Sequence, residues 1–161
     1  MNSLEIKHAL MSYFRFKRQW ICATETLLAD VMAITDKDII EVEVKISKSD
    51  LWEGEARKRK HKLFINPSPS RQSYMPNKFY ICVPTELSEE AEKWVAEVNS
   101  NYGIIICKNH FAPEKRYPFN IVITKSAKRL HDKFSNNLKE SIMKRVCTEN
   151  INLIGNKLAS N

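Results

Sequence analysis

Residues 38–50, DIIEVEVKISKSD, set Ile40, Val42, Val44 and Ile46 in alternation with Glu41, Glu43, Lys45 and Ser47. A period of two marks a β-strand with one apolar and one charged face. Glu43 and Lys45 therefore project from the same face, about 7 Å apart along the strand. The stretch before it, LLADVMAIT at 27–35, is apolar apart from Asp30 and the closing Thr35. A carboxylate inside such a run needs a partner. Thr35-Asp36-Lys37-Asp38 has turn composition, so the two stretches form a hairpin that brings Asp30 beside Glu43. Two acids and a lysine on one face make a divalent-cation site with a basic group next to it, which is the chemistry of metal-assisted phosphodiester cleavage. The plainer reading of Glu43 and Lys45 alone is cross-strand pairing on a solvated face. Asp30 is the residue that this reading leaves unexplained.

The spacing and its sequel carry a resemblance. Asp30, then Glu43-Val44-Lys45, then Ile46-Ser47-Lys48-Ser49-Asp50-Leu51 resembles the PD-(D/E)xK nuclease superfamily, and within it the MmcB-like DNA repair proteins. A second block, PNKFYICVP at 76–84 followed by YGII at 102–105, is similar to later segments of that group. The superfamily's eponymous proline is absent, because Leu28-Ala29 precede Asp30. The resemblance implies an α/β fold with a restriction endonuclease-like core, a mixed central sheet flanked by helices. It implies a Mg²⁺- or Mn²⁺-dependent deoxyribonuclease acting in DNA repair, recombination or phage DNA processing. Asp30, Glu43 and the carbonyl of Val44 would hold the metal, and Lys45 would orient or deprotonate the attacking water. Glu5 on the first helix would complete the catalytic set, with Glu25 as its rival; an acid in a first helical turn is also favoured by the helix dipole alone.

The bulk composition agrees with an anionic partner. The chain has 161 residues, 43% hydrophobic and 28% charged, with a formal net charge of +7. That length suits one domain, placed at 1–150 with a polar tail at 151–161. The excess of lysine and arginine points to nucleic acid, DNA before RNA. Cys22, Cys82, Cys107 and Cys147 are far apart and form no CxxC pair, so reduced thiols in a cytoplasmic protein are expected. No apolar run approaches membrane-spanning length.

Outward from the central hairpin, Ser3 to Lys17 reads as a helix capped by Ser3, and 19–26 as the first strand of a meander. Asp50 reads as the cap of the next helix, answered by Glu53. That helix turns basic at Arg57-Lys58-Arg59-Lys60-His61-Lys62, which with Ser47 and Lys48 forms the candidate DNA-contacting surface. Residues 78–83 and 104–107 read as buried strands with an amphipathic helix, 86–99, between them, hence parallel. A last strand spans 119–124. Leu130, Phe134, Leu138, Ile142 and Val146 at spacing four predict a long helix over 126–147, packed on the sheet or in a homodimer contact. Two other readings stay open. One is a non-catalytic nucleic-acid-binding module; the other is a metal-independent RNA endonuclease using His61 with Tyr74 or Tyr80. His110 carries no role.

Overall fold

The computed structural model describes residues 1–108 and 120–160. His110 lies outside them. Six strands form one mixed sheet in chain order: β1 (Ile21–Thr26), β2 (Ala29–Ile34), β3 (Ile39–Val44), β4 (Lys78–Pro84), β5 (Gly103–Lys108) and β6 (Asn120–Lys125). The first three form an antiparallel meander, β3, β4 and β5 are mutually parallel, and β6 returns antiparallel. The β2–β3 turn closes as its composition predicts. Thr35 Oγ1 accepts the N–H of Asp38 at 2.8 Å, and the Thr35 N–H reaches the Asp38 carbonyl at 2.8 Å.

Helices cover both faces of this sheet. Helix α1 (Ser3–Ser12), extended by a π-helical turn at Tyr13–Lys17, lays Ile6, Ala9, Leu10 and Phe14 on one face, against Ile40, Val42 and Val44. A π-helical turn (Asp50–Glu55), α2 (Lys60–Ile65) and α3 (Ser88–Val98) contribute Leu51, Phe64 and Trp94 to the other, against Phe79, Ile81 and Val83. Helix α4 (Asn136–Ala159) adds Leu138 and Ile142 beside Met32 and Ile39. Every residue of β3 is therefore buried, including the charged ones that alternation alone assigns to a solvated face. A central strand with helices over both faces requires this.

Two helix ends differ from the sequence reading. Asn2, one residue before Ser3, caps α1: Asn2 Oδ1 accepts the Glu5 N–H at 2.9 Å, and Glu5 Oε2 accepts the Asn2 N–H at 2.7 Å. Ser47, three residues before Asp50, begins the second helical segment, and its hydroxyl accepts the Asp50 N–H at 3.1 Å.

The larger difference is α4, which starts at Asn136 rather than 126 and runs on to Ala159. Asn77 accounts for the shift. Its side-chain amide donates to the carbonyls of His131 and Lys133 at 3.1 and 3.0 Å, and its own carbonyl accepts the Leu130 N–H at 2.8 Å. Asn77 Oδ1 meanwhile takes the Ile39 N–H at 3.0 Å. These bonds hold 130–133 in a non-helical path beside the start of β3, and leaving a buried amide unmet would cost about 1–3 kcal/mol per group. The spacing-four pattern in this segment yields to that network. Among the described residues no helix is long and apolar enough to cross a membrane.

Candidate active site

The end of β3 carries a connected set of buried charges. Glu43 is 1% exposed and Glu55, from the π-helical turn, is 0% exposed. Both share the same three ammonium groups. Glu43 lies 2.8 Å from Lys58 and 3.5 Å from Lys45, and also accepts from Lys60. Glu55 lies 2.7 Å from Lys58, 3.1 Å from Lys45 and 3.1 Å from Lys60. Glu41, two residues before Glu43 on the same face, receives Lys60 at 2.7 Å, and Asp50 stands 3.5 Å from Lys45. Ions this deep lose several kcal/mol each of hydration, so only mutual pairing makes them tenable.

The two central carboxylates respond oppositely. Burial pushes Glu43 up to about 7, against the pull of Lys60. Burial pushes Glu55 in the same direction, but the His61 hydrogen bond and the Lys60 charge overcome it and hold Glu55 far below the usual carboxylate range. His61 is buried, with Nε2 3.0 Å from Glu55 and Nδ1 2.8 Å from the Tyr102 hydroxyl. With Glu55 ionised, Nε2–H donates to Glu55, and Nδ1 is the nitrogen that faces the Tyr102 hydroxyl. Lys45 is raised, because Glu55 and Glu43 outweigh its burial.

Asp30 sits on the other side of the β3 end. Its Oδ2 accepts the Val44 N–H at 2.8 Å, which ties it to the peptide that follows Glu43. Its Oδ1 lies 2.7 Å from Lys7 of α1, which also pairs with Glu25. Burial alone would raise Asp30, but Lys7 and the Val44 N–H bring it below its ordinary value.

The predicted residues are thus gathered in part. Asp30 is tied to the Val44 N–H and Glu43 lies beside Lys45, but the two acids do not share one face as expected: Asp30 pairs with Lys7 of α1, and Glu43 with Lys58 and Lys60 on the opposite side. Glu5 does not join them, since its carboxylate closes the α1 cap; Lys7, two residues on, is the α1 side chain that reaches Asp30. The basic run divides. Arg57, Arg59 and Lys62 are exposed, whereas Lys58 and Lys60 turn inward to the carboxylates. His61 is 3% exposed, so it belongs to the core and not to a nucleic-acid surface. Ser47 caps its helix and Lys48 pairs with Glu90 at 3.2 Å. Sequence reasoning missed Glu55, Glu41, Lys7 and Tyr102. Glu55 was findable: it stands four residues after Leu51, on the helical face that Leu51 buries.

The donors suit a hard divalent cation in type, being two carboxylates and a peptide carbonyl in one strand-end neighbourhood. Mg²⁺ retains several waters and takes only one or two protein carboxylates, so a fuller cage is not required. Among the described residues no group of three or more His, Cys, Asp or Glu side chains is placed to hold a metal ion. Lysines occupy the oxygens of Glu43, and an incoming cation must displace them. Comparison with protein-family models, with curated proteins and with solved structures finds no match.

Proposed function

We propose that this chain is a metal-dependent nuclease of the PD-(D/E)xK type, with a restriction endonuclease-like core, that hydrolyses DNA phosphodiester bonds in a cytoplasmic repair, recombination or phage-processing role. The observation that carries the reading is the Asp30–Val44 hydrogen bond, which sets the β2 acid beside the Glu43-Val44-Lys45 strand end. The order helix, three-strand antiparallel meander, then a parallel strand, with an acid on β2 and Glu-x-Lys at the end of β3, also supports it. Asp30, Glu43 and the Val44 carbonyl would hold Mg²⁺ or Mn²⁺, which when bound polarises a phosphate and lowers the pKa of a bound water. Lys45, kept charged by Glu55 and Glu43, offsets negative charge that develops on the phosphate. Phosphates of the substrate compete with Glu43 for Lys58 and Lys60, so binding of DNA itself frees the carboxylate. Arg57, Arg59 and Lys62 supply further phosphate contacts.

The test is cleavage of labelled single-stranded, duplex and branched DNA with Mg²⁺, Mn²⁺ or EDTA. Glu43→Ala and Lys45→Ala are expected to lower the metal-dependent rate by about 10²–10⁴-fold while DNA binding persists. Wild-type protein that binds every substrate and cuts none would sink the proposal.

A second reading, a nucleic-acid-binding module without catalysis, is favoured by one observation: lysines already neutralise the buried carboxylates. It predicts that Glu43→Ala leaves DNA affinity unchanged and that added Mg²⁺ does not bind, as read by calorimetry.

A further inference from the structure

Beside the acid–lysine cluster lies a cavity of about 550 Å³, within the range of small-ligand sites. Its inner wall is apolar, formed by Met32, Phe64, Met75 and Leu138, all buried. Glu41, Lys58 and Lys60 of the cluster line one side. Its rim is unusual. Tyr74, 67% exposed, stands on one edge, and Leu27 and Leu28, 63% and 94% exposed, form the β1–β2 turn on another. Both leucines hold left-handed backbone conformations, φ 52° and 72°, a region that side chains other than glycine's rarely adopt. Strained backbone and bare apolar side chains that coincide at one cavity mouth mark a contact surface. Exposed Arg59 completes the rim.

An apolar slot with an aromatic edge, a hydrogen-bonding wall and a cationic rim matches one kind of occupant. A nucleobase fills the slot and stacks on the aromatic ring, while its flanking phosphate meets the arginine. Stacked duplex bases present only their edges, so a base that enters must come from an unpaired strand or leave its stack. We infer that this cavity takes an unstacked base of single-stranded DNA, with Tyr74 and the Leu27–Leu28 turn as its walls, and so biases the chain toward single-stranded over duplex substrates. This rests on the nucleic-acid reading of the neighbouring site but not on hydrolysis there.

The experiment measures binding of the full chain, in EDTA, to an oligonucleotide carrying one 2-aminopurine, as a single strand and as a blunt duplex. The single strand is expected to bind at least ~10-fold more tightly, with a change in 2-aminopurine fluorescence as the base enters the cavity. Tyr74→Ala and Leu28→Ser should each weaken single-strand binding about 5- to 100-fold and leave duplex binding within about 2-fold. Arg59→Ala should weaken both and lower the salt slope by about 1. Thermal midpoints of the Tyr74 and Leu28 variants within a few degrees of wild type show that the fold is intact. Equal affinity for the two DNA forms, single-strand binding unaffected by Tyr74→Ala and Leu28→Ser, or no DNA binding at all overturns the inference. Cleavage is read separately. Protein that holds the single strand in the cavity and cuts nothing with Mg²⁺ or Mn²⁺ keeps this inference and loses the nuclease. Protein whose Tyr74 and Leu28 variants cut all DNA forms as wild type does keeps the nuclease and loses this inference.

Discussion

At the end of β3, Glu41, Glu43, Lys45 and Glu55 are each less than a tenth exposed, while at the β1–β2 turn Leu28 is almost wholly in water. The usual distribution puts charge outside and leucine inside, and these two regions invert it in opposite senses. The charged region is locally well matched: Glu43 and Glu55 pair with lysines, and His61 bridges Glu55 to Tyr102. The leucine turn is locally mismatched, with left-handed backbone and no burial to offset it. One cavity joins them through Glu41, Lys58 and Lys60. Buried pairing can be explained by the fold alone, whereas strain with exposure asks for a ligand. The contrast therefore predicts which substitutions harm folding and which harm binding.

The largest effect is expected at Glu55. Glu55→Ala removes the partner of three lysines and of His61 at once and should destabilise the protein by about 3–5 kcal/mol, as for one half of a buried ion pair. Its sign with pH follows from its depressed value. The stability Glu55 contributes is present above the ordinary glutamate pKa and is lost as pH falls through its folded value. Urea midpoints of wild type and Glu55→Ala should therefore converge in acid. A constant gap would mean that packing, not charge, is what Glu55 supplies.

Glu43 is expected to behave with the opposite sign. Its folded value, about 7, lies above that of an exposed glutamate. The native state therefore holds a proton that the unfolded chain releases, and wild-type stability falls as pH rises from about 4.5 through about 7. Glu43→Gln cannot titrate, so relative to wild type it should gain about 3 kcal/mol across that window. A difference curve that instead favours wild type as pH rises would place Glu43 with Glu55, as a carboxylate held ionised by its lysines.

How far these regions were legible follows from particular residues. The alternation at 38–47 and the turn at 35–38 located β3 and its hairpin, because register on a sheet is set by exactly such short-range pattern. Asp30 could be picked out because it breaks an apolar run, and Glu43 and Lys45 because the alternation sets them on one face beside it. That β3 is covered on both faces was not in its own residues; it depends on α2, α3 and β4 arriving later in the chain. The run at 57–62 read as one exposed surface, yet the break before α2 turns Lys58 and Lys60 inward and buries His61. In the same way Asn77, far upstream in the chain, sets where α4 begins. No local pattern shows either. Leu28 reads as the start of the second strand, over 28–35, since nothing in the chemistry of Leu27-Leu28 signals a left-handed turn.

The smallest expected effect tests that turn directly. Leucine at positive φ costs roughly 1–2 kcal/mol, and glycine adopts the same conformation without a steric penalty but loses more chain entropy on folding. Leu28 has almost no contact to lose. Leu28→Gly should therefore stabilise the protein by about 0.5–1 kcal/mol, a rise of about 1–4 °C in Tm. Leu28→Ala keeps a Cβ at the same φ and should leave Tm unchanged. The same Leu28→Gly protein should bind single-stranded DNA more weakly, because the side chain that lines the cavity mouth is gone. More stability with less binding is the signature of strain retained for contact. A fall in Tm would instead show that Leu28 packs against the body of the protein, and the contrast between the two regions would then reduce to a difference in exposure.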